Sequence, residues 1–278
     1  MINILFAGND KVFDGILTCM LSIFMRTSTR EPFSIYILTM DVSHIKPQYR
    51  ALTEEQAQVL NSVAADFNPD NRVTRIDVID KYNACFASCP NETAYCSPYT
   101  LLRLLADDLP QIPDKILYLD ADIMFNRDIT LLYNHDVSQY EYAAARDHYG
   151  KYILNPNYIN AGVLLLNMKL IRQTGLFVKA RNLLKRRKLL FADQSAIYWN
   201  TTNKLMLPQR FNDQKFLHDH TVVRHFSKRL FYFPYPHTEN LKQWQVDKVH
   251  SKFKYHQFDD IYDEYYKIIQ GDVKENGK

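Results

Sequence analysis

The stretch K-I-L-Y-L-D-A-D-I-M-F, Lys115 to Phe125, decides how the rest of the chain is read. Ile116, Leu117, Tyr118 and Leu119 form an apolar run of strand-forming residues, so the segment predicts a buried strand that delivers Asp120 and Asp122 at its end. Side chains two apart on extended backbone share a side, which lets the two carboxylates aim at one point. Like charges that close repel unless a cation lies between them, and a divalent ion is the natural occupant. In an open α/β sheet the crevice beyond the strand ends is also where ligands bind. The competing reading is a loop whose two Asp residues cap a helix or face water.

The flanking segments repeat the pattern of strands that deliver polar groups. Ile2 to Ala7 reads as a first strand and Gly8-Asn9-Asp10 as the turn after it. Phe13 to Met25 is apolar enough for a buried helix, and Phe33 to Met40 reads as a second strand entered through Pro32. Thr53, followed by Glu54, Glu55 and Gln56, predicts a capped helix running to about Phe67, with a third strand at Val73 to Val78. This alternation argues for a mostly parallel sheet covered on both faces. Lys81 to Ser97 is polar, holds three cysteines and Pro90, and reads as a long loop. Tyr99 to Ala106 reads as a helix carrying Arg103.

Further on, Tyr142 to Ala145 reads as a strand ending at Arg146-Asp147, and Ala161 to Leu166 as another between Asn160 and Asn167. Lys169 to Lys188 reads as one helix finishing K-R-R-K, and Asp193 as the cap of a helix through Trp199. The basic helix end is a solvated terminus complementing its own dipole, or a contact with an anionic membrane surface. Beyond Val222-Val223 the chain turns aromatic and basic, with Tyr232, Phe233, Tyr235, His237, Lys242 and Trp244, and closes in a polar tail that is expected to fray. No internal repeat and no linker separates two domains.

Composition excludes several classes. Of the 278 residues 46% are hydrophobic, which supports a sizeable core. Lys+Arg 34 against Asp+Glu 31 leaves a net charge of +3, and nothing there calls for a nucleic-acid partner. The 19 Tyr and 16 Phe suit packing, sugar faces and lipid-proximal surfaces. Cys85, Cys89 and Cys96 cluster while Cys19 stands apart, but the spacing lacks the C-x-x-C pairs of a zinc site and no fourth ligand is near. The opening M-I-N-I-L-F-A is too short an apolar run for a signal peptide, and no stretch approaches a membrane span. The expectation is a cytoplasmic chain with free thiols, in which the N-x-T sequences at Asn91 and Asn200 are chance matches.

Taken in order, F-A-G-N-D, S-P-Y-T-L-L-R-L, L-Y-L-D-A-D, Y-I-N-A-G-V-L-L-L-N, A-D-Q-S and R-H-F resemble the motif series of family 8 retaining glycosyltransferases, which includes bacterial lipopolysaccharide galactosyltransferases and glycogenin. The series runs from Ile2 to about His225. The resemblance implies an α/β chain of GT-A fold: a single Rossmann-like nucleotide-binding domain over 1–278 with a mixed central sheet. A nucleotide-binding half at 1–125, a sugar and acceptor half at 126–225 and an aromatic, basic C-terminal extension at 226–278 divide it. It further implies a UDP-sugar donor of glucose or galactose type, a glycan, lipid-linked or protein acceptor in cell-surface glycan biosynthesis, and Mn²⁺ as cofactor, with Mg²⁺ the other fitting cation. Localisation would then be cytoplasmic, with a peripheral station at the inner face of the membrane as the second reading of K-R-R-K.

By the same resemblance Asp120 and Asp122 match the metal-binding pair and His225 the histidine that completes the protein ligands, a mixed O/N set that suits Mn²⁺ better than zinc. Ala7, Asn9 and Asp10 match the uracil and ribose pocket. Arg103 matches an arginine that reaches the donor, and Asp147, Asn160, Ala161, Asp193 and Gln194 match positions around the transferred sugar. Gln194 stands where a double displacement would need a nucleophile, and an amide is a poor one, so front-face substitution is favoured; Asp193 is the candidate if a covalent intermediate forms. After His225 the chain departs from the family's glycine and Lys-Pro-Trp, reading F-S-K-R-L-F-Y-F-P-Y-P. Lys242-Gln243-Trp244 is the nearest match, so Lys242 is preferred for the diphosphate contact over Lys228 or Arg229. Two rivals stay open: a haloacid dehalogenase-type phosphatase, whose pattern wants Thr or Val where Met124 stands, and a non-catalytic nucleotide-sugar-binding protein.

Overall fold

The computed structural model describes residues 1–92, 97–231 and 235–275. Strand β1 (Ile2–Ala7) lies inside a seven-stranded sheet, with β2 (Phe33–Thr39) beside it and β3 (Arg72–Asp77) beyond. On its other side lies β4 (Lys115–Leu119), and these four run parallel. Strand β5 (Ile123–Phe125) leaves the main sheet, while β6 (Tyr142–Ala145), β7 (Val163–Asn167) and β8 (Lys204–Leu207) complete it in the order β4-β7-β6-β8. β7 is antiparallel to both β4 and β6, and β8 is parallel to β6. Two reversals cancel, so β1, β4, β6 and β8 all end on one edge of the sheet. Strand β9 (Val223–His225) pairs antiparallel with β5, and β10 (Arg229–Phe231) with β11 (His237–Glu239).

The central strands are near-continuous apolar runs because both faces are covered. Alternation on β4 sends Leu117 and Leu119 into one core and Ile116 and Tyr118 into the other. The first core is closed by helices Phe13–Arg26 and Glu54–Phe67, the second by Ile79–Phe86, Pro98–Asp108 and Leu176–Arg186. Leu117 is fully buried, so truncating it to Ala costs about 2 to 5 kcal/mol. The predicted cap at Thr53 is a full capping box: its hydroxyl accepts from Gln56 N at 3.1 Å and Gln56 Oε1 accepts from Thr53 N at 3.0 Å.

Several sequence expectations are corrected. The two aspartates do not converge by strand alternation, since β4 stops at Leu119 and the chain turns at Ala121 and Asp122 before β5. The expected loop from Lys81 begins inside the helix Ile79–Phe86, whose buried Tyr82 and Phe86 supply an apolar face that the polar residues between them concealed. Pro98–Asp108 is a 3₁₀ helix, and Lys169 to Lys188 is two helices, Met168–Thr174 and Leu176–Arg186, broken at Gly175 with φ 67°. Asp193 does not cap its helix: it lies inside Ala192–Asn200 and takes an ion pair instead. The tail expected to fray is a helix, Asp259–Glu275, with Ile261, Tyr262 and Tyr265 buried against Phe13–Arg26. Cys19, Cys85 and Cys89 are free thiols. Cys96, Tyr232, Phe233 and residues 276–278 lie outside the described residues.

Candidate active site

The Asp-Ala-Asp turn is pinned from two sides. Asp120 N donates to Gly162 O at 2.8 Å, just before β7, and Phe226 N donates to Asp122 O at 2.8 Å, just after β9. The β5–β9 register places Ile123 opposite His225, so the imidazole arrives beside the turn. His225 Nε2 lies 3.0 Å from Asp122 Oδ1 and 3.9 Å from Asp120 Oδ2. One ligand atom from each of the three residues falls within 4.8 Å of the others. Gly162 makes room for this: a Cβ there would sit 2.4 Å from His225 Cε1 and 2.8 Å from Asp120 Oδ2.

A chain of side-chain amides fixes the orientation of the ring. Gly162 N, which can only donate, bonds Asn160 Oδ1 at 3.0 Å, so Asn160 Nδ2 faces Asp147 Oδ2 at 2.8 Å. Asn160 Oδ1 also accepts from Asn212 Nδ2 at 2.9 Å, which leaves Asn212 Oδ1 against His225 Nδ1 at 3.0 Å. An acceptor there keeps a hydrogen on Nδ1 and turns Nε2 toward the two acids, where it donates to Asp122 until a metal ion displaces its proton, the orientation a metal-ligating histidine needs. Two carboxylates and an imidazole so oriented fit a hard, oxygen-preferring divalent cation.

Charge in the turn is balanced from within the protein. Lys242 Nζ stands 2.5 Å from Asp122 Oδ2. Burial pushes the Asp122 carboxyl up, but Lys242 and His225 outweigh it and hold the group well below the usual carboxylate range. Arg103, only 2% exposed, donates through Nη2 to Asp120 Oδ1 at 2.9 Å and through Nη1 to Ala161 O, its Nε lies 3.1 Å from Asp193 Oδ2, and it stacks 4.0 Å above the Tyr118 ring. Tyr118 donates its hydroxyl to the same Asp120 oxygen at 2.8 Å. Burial raises the Asp193 carboxyl, with Arg103 opposing the rise. Gln194 Oε1 accepts from Ala161 N at 3.0 Å.

The segment Lys242-Gln243-Trp244 lands on the turn, and Arg229 does not. Arg229 lies over the rings of Phe216, Phe231 and Phe253. The glutamine that replaces proline has a purpose of its own: buried Gln243 Nε2 donates to Ala121 O at 2.8 Å and lies 3.2 Å from Gly15 O and from Thr18 Oγ1. A Cβ on Gly15 would sit 2.6 Å from the Trp244 ring and 2.3 Å from Ala121 O, so that glycine admits the segment.

A cleft of about 370 Å³ opens from this centre and is lined by Ala7, Asn9, Tyr49, Tyr99, Arg103, Asp120, Asp122, Lys242 and Trp244. Asn9 is held by Nδ2 donating to Gln48 O at 3.2 Å, and Tyr49 meets Tyr99 edge-on at 5.7 Å. Asp10 follows outside that lining, with its carboxyl Oδ1 buried and without a hydrogen-bond partner among the described residues. Thus Asp120, Asp122, His225, Arg103, Asp193, Gln194, Ala161, Asn160, Asp147 and Lys242 form one bonded network, to which Ala7 and Asn9 add the far wall. Sequence reasoning missed Asn212, Gly162, Gln243, Tyr49 and Tyr99. Asn212-Asp213 reads locally as any polar turn, and nothing nearby in sequence signals its partner.

A family model described as Glycosyl transferase family 8 matches residues 3–229. The chain belongs to this family. Two curated relatives were found: a Haemophilus influenzae protein, 25% identical over 65% of this chain and 52% of its own length, and Glycosyltransferase GlyA of Streptococcus pneumoniae, 28% identical over 59% of this chain and 20% of its own. The chain therefore spans about half of one relative and a fifth of the other. In three dimensions this family 8 chain is similar to galactosyltransferase LgtC, solved in complex with donor and acceptor sugar analogues, with a TM-score of 0.63 at 17% identity over 97% of this chain and 96% of that one. That likeness establishes the GT-A fold and leaves the haloacid dehalogenase reading without support.

Proposed function

We propose that this family 8 chain is a retaining, metal-dependent hexosyltransferase, moving glucose or galactose from a UDP-sugar to a glycan, lipid-linked or protein acceptor in cell-surface glycan biosynthesis. The observation that carries this reading is the convergence of Asp120 and Asp122, from one turn, with His225, from a strand a hundred residues downstream, beside a cleft fit for a nucleotide. Those three residues would hold Mn²⁺ or Mg²⁺, which supplies positive charge where the departing diphosphate becomes more negative. Lys242, already against Asp122, adds a second cation on that side. Ala7 and Asn9, with Asp10 behind them, receive uracil and ribose; Asp147, Asn160 and Ala161 hold the sugar hydroxyls.

Gln194 stands at the sugar and, because its carbonyl already accepts from Ala161 N, it orients the sugar rather than attacking it. Asp193 is buried and paired with Arg103, which argues against a free carboxylate nucleophile. Front-face substitution remains: the acceptor oxygen bonds to the anomeric carbon as the bond to the β-phosphate oxygen breaks, and the acceptor proton passes to that phosphate oxygen. No helix among the described residues is long and apolar enough to cross a membrane. Lys185 to Lys188 and Leu190 are exposed, which supports a peripheral contact with an anionic membrane.

A screen of UDP-sugars for Mn²⁺-dependent hydrolysis and transfer tests the reading. Turnover of one UDP-hexose with Mn²⁺, and none with chelator, is expected. UDP binding with no turnover of any donor would select the non-catalytic alternative.

A further inference from the structure

A second cavity, of about 100 Å³, lies away from the nucleotide cleft, between the segment after β6 and the segment after β8. Its walls include Arg146, His148 and Lys151 on one side and Gln209 and Gln214 on the other. Because β6 and β8 run in the direction of β1 and β4, the cavity opens at the same sheet edge as the metal centre. With strands about 4.8 Å apart, β6 and β8 lie roughly 10 to 15 Å along that edge from β4, the length of one or two sugar rings.

The cavity holds positive charge that no direct ion pair engages among the described residues. Among the described residues Arg146, Lys151 and the adjoining Lys215 make no salt bridge: Arg146 donates to the neutral Asn157 Oδ1 at 3.1 Å, and Lys151 and Lys215 lie over the rings of Tyr152 and Phe216. The nearest acids, Asp147 and Asp213, direct their oxygens to other donors. Asp147 accepts from Tyr149 N at 3.0 Å, Gly150 N at 2.6 Å and Asn160 Nδ2 at 2.8 Å. Asp213 is engaged by Gln209, Thr221, His218 and two backbone N–H groups. Burial, then Lys215 and Lys151, hold the His148 imidazole below its ordinary range, with Asp147 and Asp213 opposing. The wall itself is built: Gln214, 8% exposed, donates to Arg146 O at 3.0 Å and accepts from His148 N at 2.9 Å, tying the cationic segment to the one that bears Asn212.

We propose that this cavity takes a phosphate monoester carried by the acceptor saccharide, so that the acceptor is recognised by charge one or two sugar units from the reacting hydroxyl. Two cations lining a small concavity, Arg146 and Lys151, bind a compact dianion by charge-assisted hydrogen bonds, whereas a neutral sugar hydroxyl gains little there. The word acceptor rests on the transferase reading; the binding itself does not.

The test titrates the full chain, without nucleotide or metal, with glucose 6-phosphate, with glucose and with phosphatidate vesicles, following binding by NMR and calorimetry. Wild type and the charge-keeping variant Arg146→Lys/Lys151→Arg are expected to bind glucose 6-phosphate and to ignore glucose. Arg146→Ala/Lys151→Ala is expected to bind it at least tenfold more weakly while retaining its thermal unfolding transition. Equal affinity in the alanine variant, no preference of wild type for glucose 6-phosphate over glucose, or binding to vesicles alone would each overturn the proposal. Because no donor is present, binding here with no UDP-sugar turnover would remove the transferase reading and leave the pocket; turnover without such binding would do the reverse.

Discussion

His225 Nε2 and Asp122 Oδ1 lie 3.0 Å apart because one antiparallel register, Ile123 opposite His225, brings the end of β9 to the turn after β4. The two residues have no local relationship in the chain. Strand pairing makes the centre, and each loss within it has a distinct consequence.

Asp122→Asn keeps the shape of the side chain and removes the charge that a divalent cation needs. We expect a folded protein whose Mn²⁺-dependent UDP-sugar turnover falls by a factor of about 100 or more, equivalent to roughly 3 kcal/mol in the barrier. Circular dichroism and a thermal melt check folding, and a coupled assay for released UDP checks turnover. Normal turnover would reject the metal assignment.

Asn212→Ala leaves all three metal-holding residues in place yet removes the acceptor that holds the His225 ring by Nδ1. Loss of such an outer partner lowers metal affinity by about 10- to 100-fold. Mn²⁺ titration followed by electron paramagnetic resonance reads this without any turnover. An unchanged affinity would show that the amide chain from Asp147 through Asn160 does not orient the ring.

Fold and site were legible to different depths. The strand before Asp120 announces itself because four apolar residues end abruptly in two acids, a pattern contained within one short segment. Thr53 and Gln56 likewise meet within one helical turn, so the capping box is visible in the sequence. His225 carries no such local mark, and only the resemblance of R-H-F to a family motif singles it out. Asn212 and Gly162 escape altogether, because what they do depends on a ring and a carboxylate that tertiary structure brings to them. Gly175 is a different kind of miss: a glycine inside a helical pattern is a stop signal, and here its φ of 67° ends one helix and admits the next. Lys242 was reachable only through Trp244, since Gln243 replaces the proline of the family pattern and takes a bonding role proline lacks.

Acid should loosen the fold through the same turn. Asp122 is held below the ordinary carboxylate range by Lys242 and His225 despite its burial, so its folded value lies under its unfolded one. A group of that kind contributes stability that is complete above the unfolded value, about 3.9, and is lost as pH falls below it. Asp213, depressed against its burial by hydrogen bonds from Phe216 N, Gln209 and His218, acts in the same direction. Urea unfolding between pH 6 and pH 3 should therefore show stability falling steeply below about pH 4. Replacing Lys242 with Met should raise the folded value of Asp122 toward its unfolded one and so make that fall shallower; an identical fall would mean that the lysine does not hold Asp122 ionised.

The central claim is that Asp120, Asp122 and His225 hold one divalent cation beneath a uridine diphosphate. It is tested most directly by titrating Mn²⁺ into the full chain with and without UDP, in wild type and in His225→Ala. We expect one site in wild type that tightens when UDP is present, and a loss of affinity of about tenfold or more in the variant. Equal Mn²⁺ affinity in the two proteins, or an affinity in wild type that UDP leaves unchanged, would contradict it.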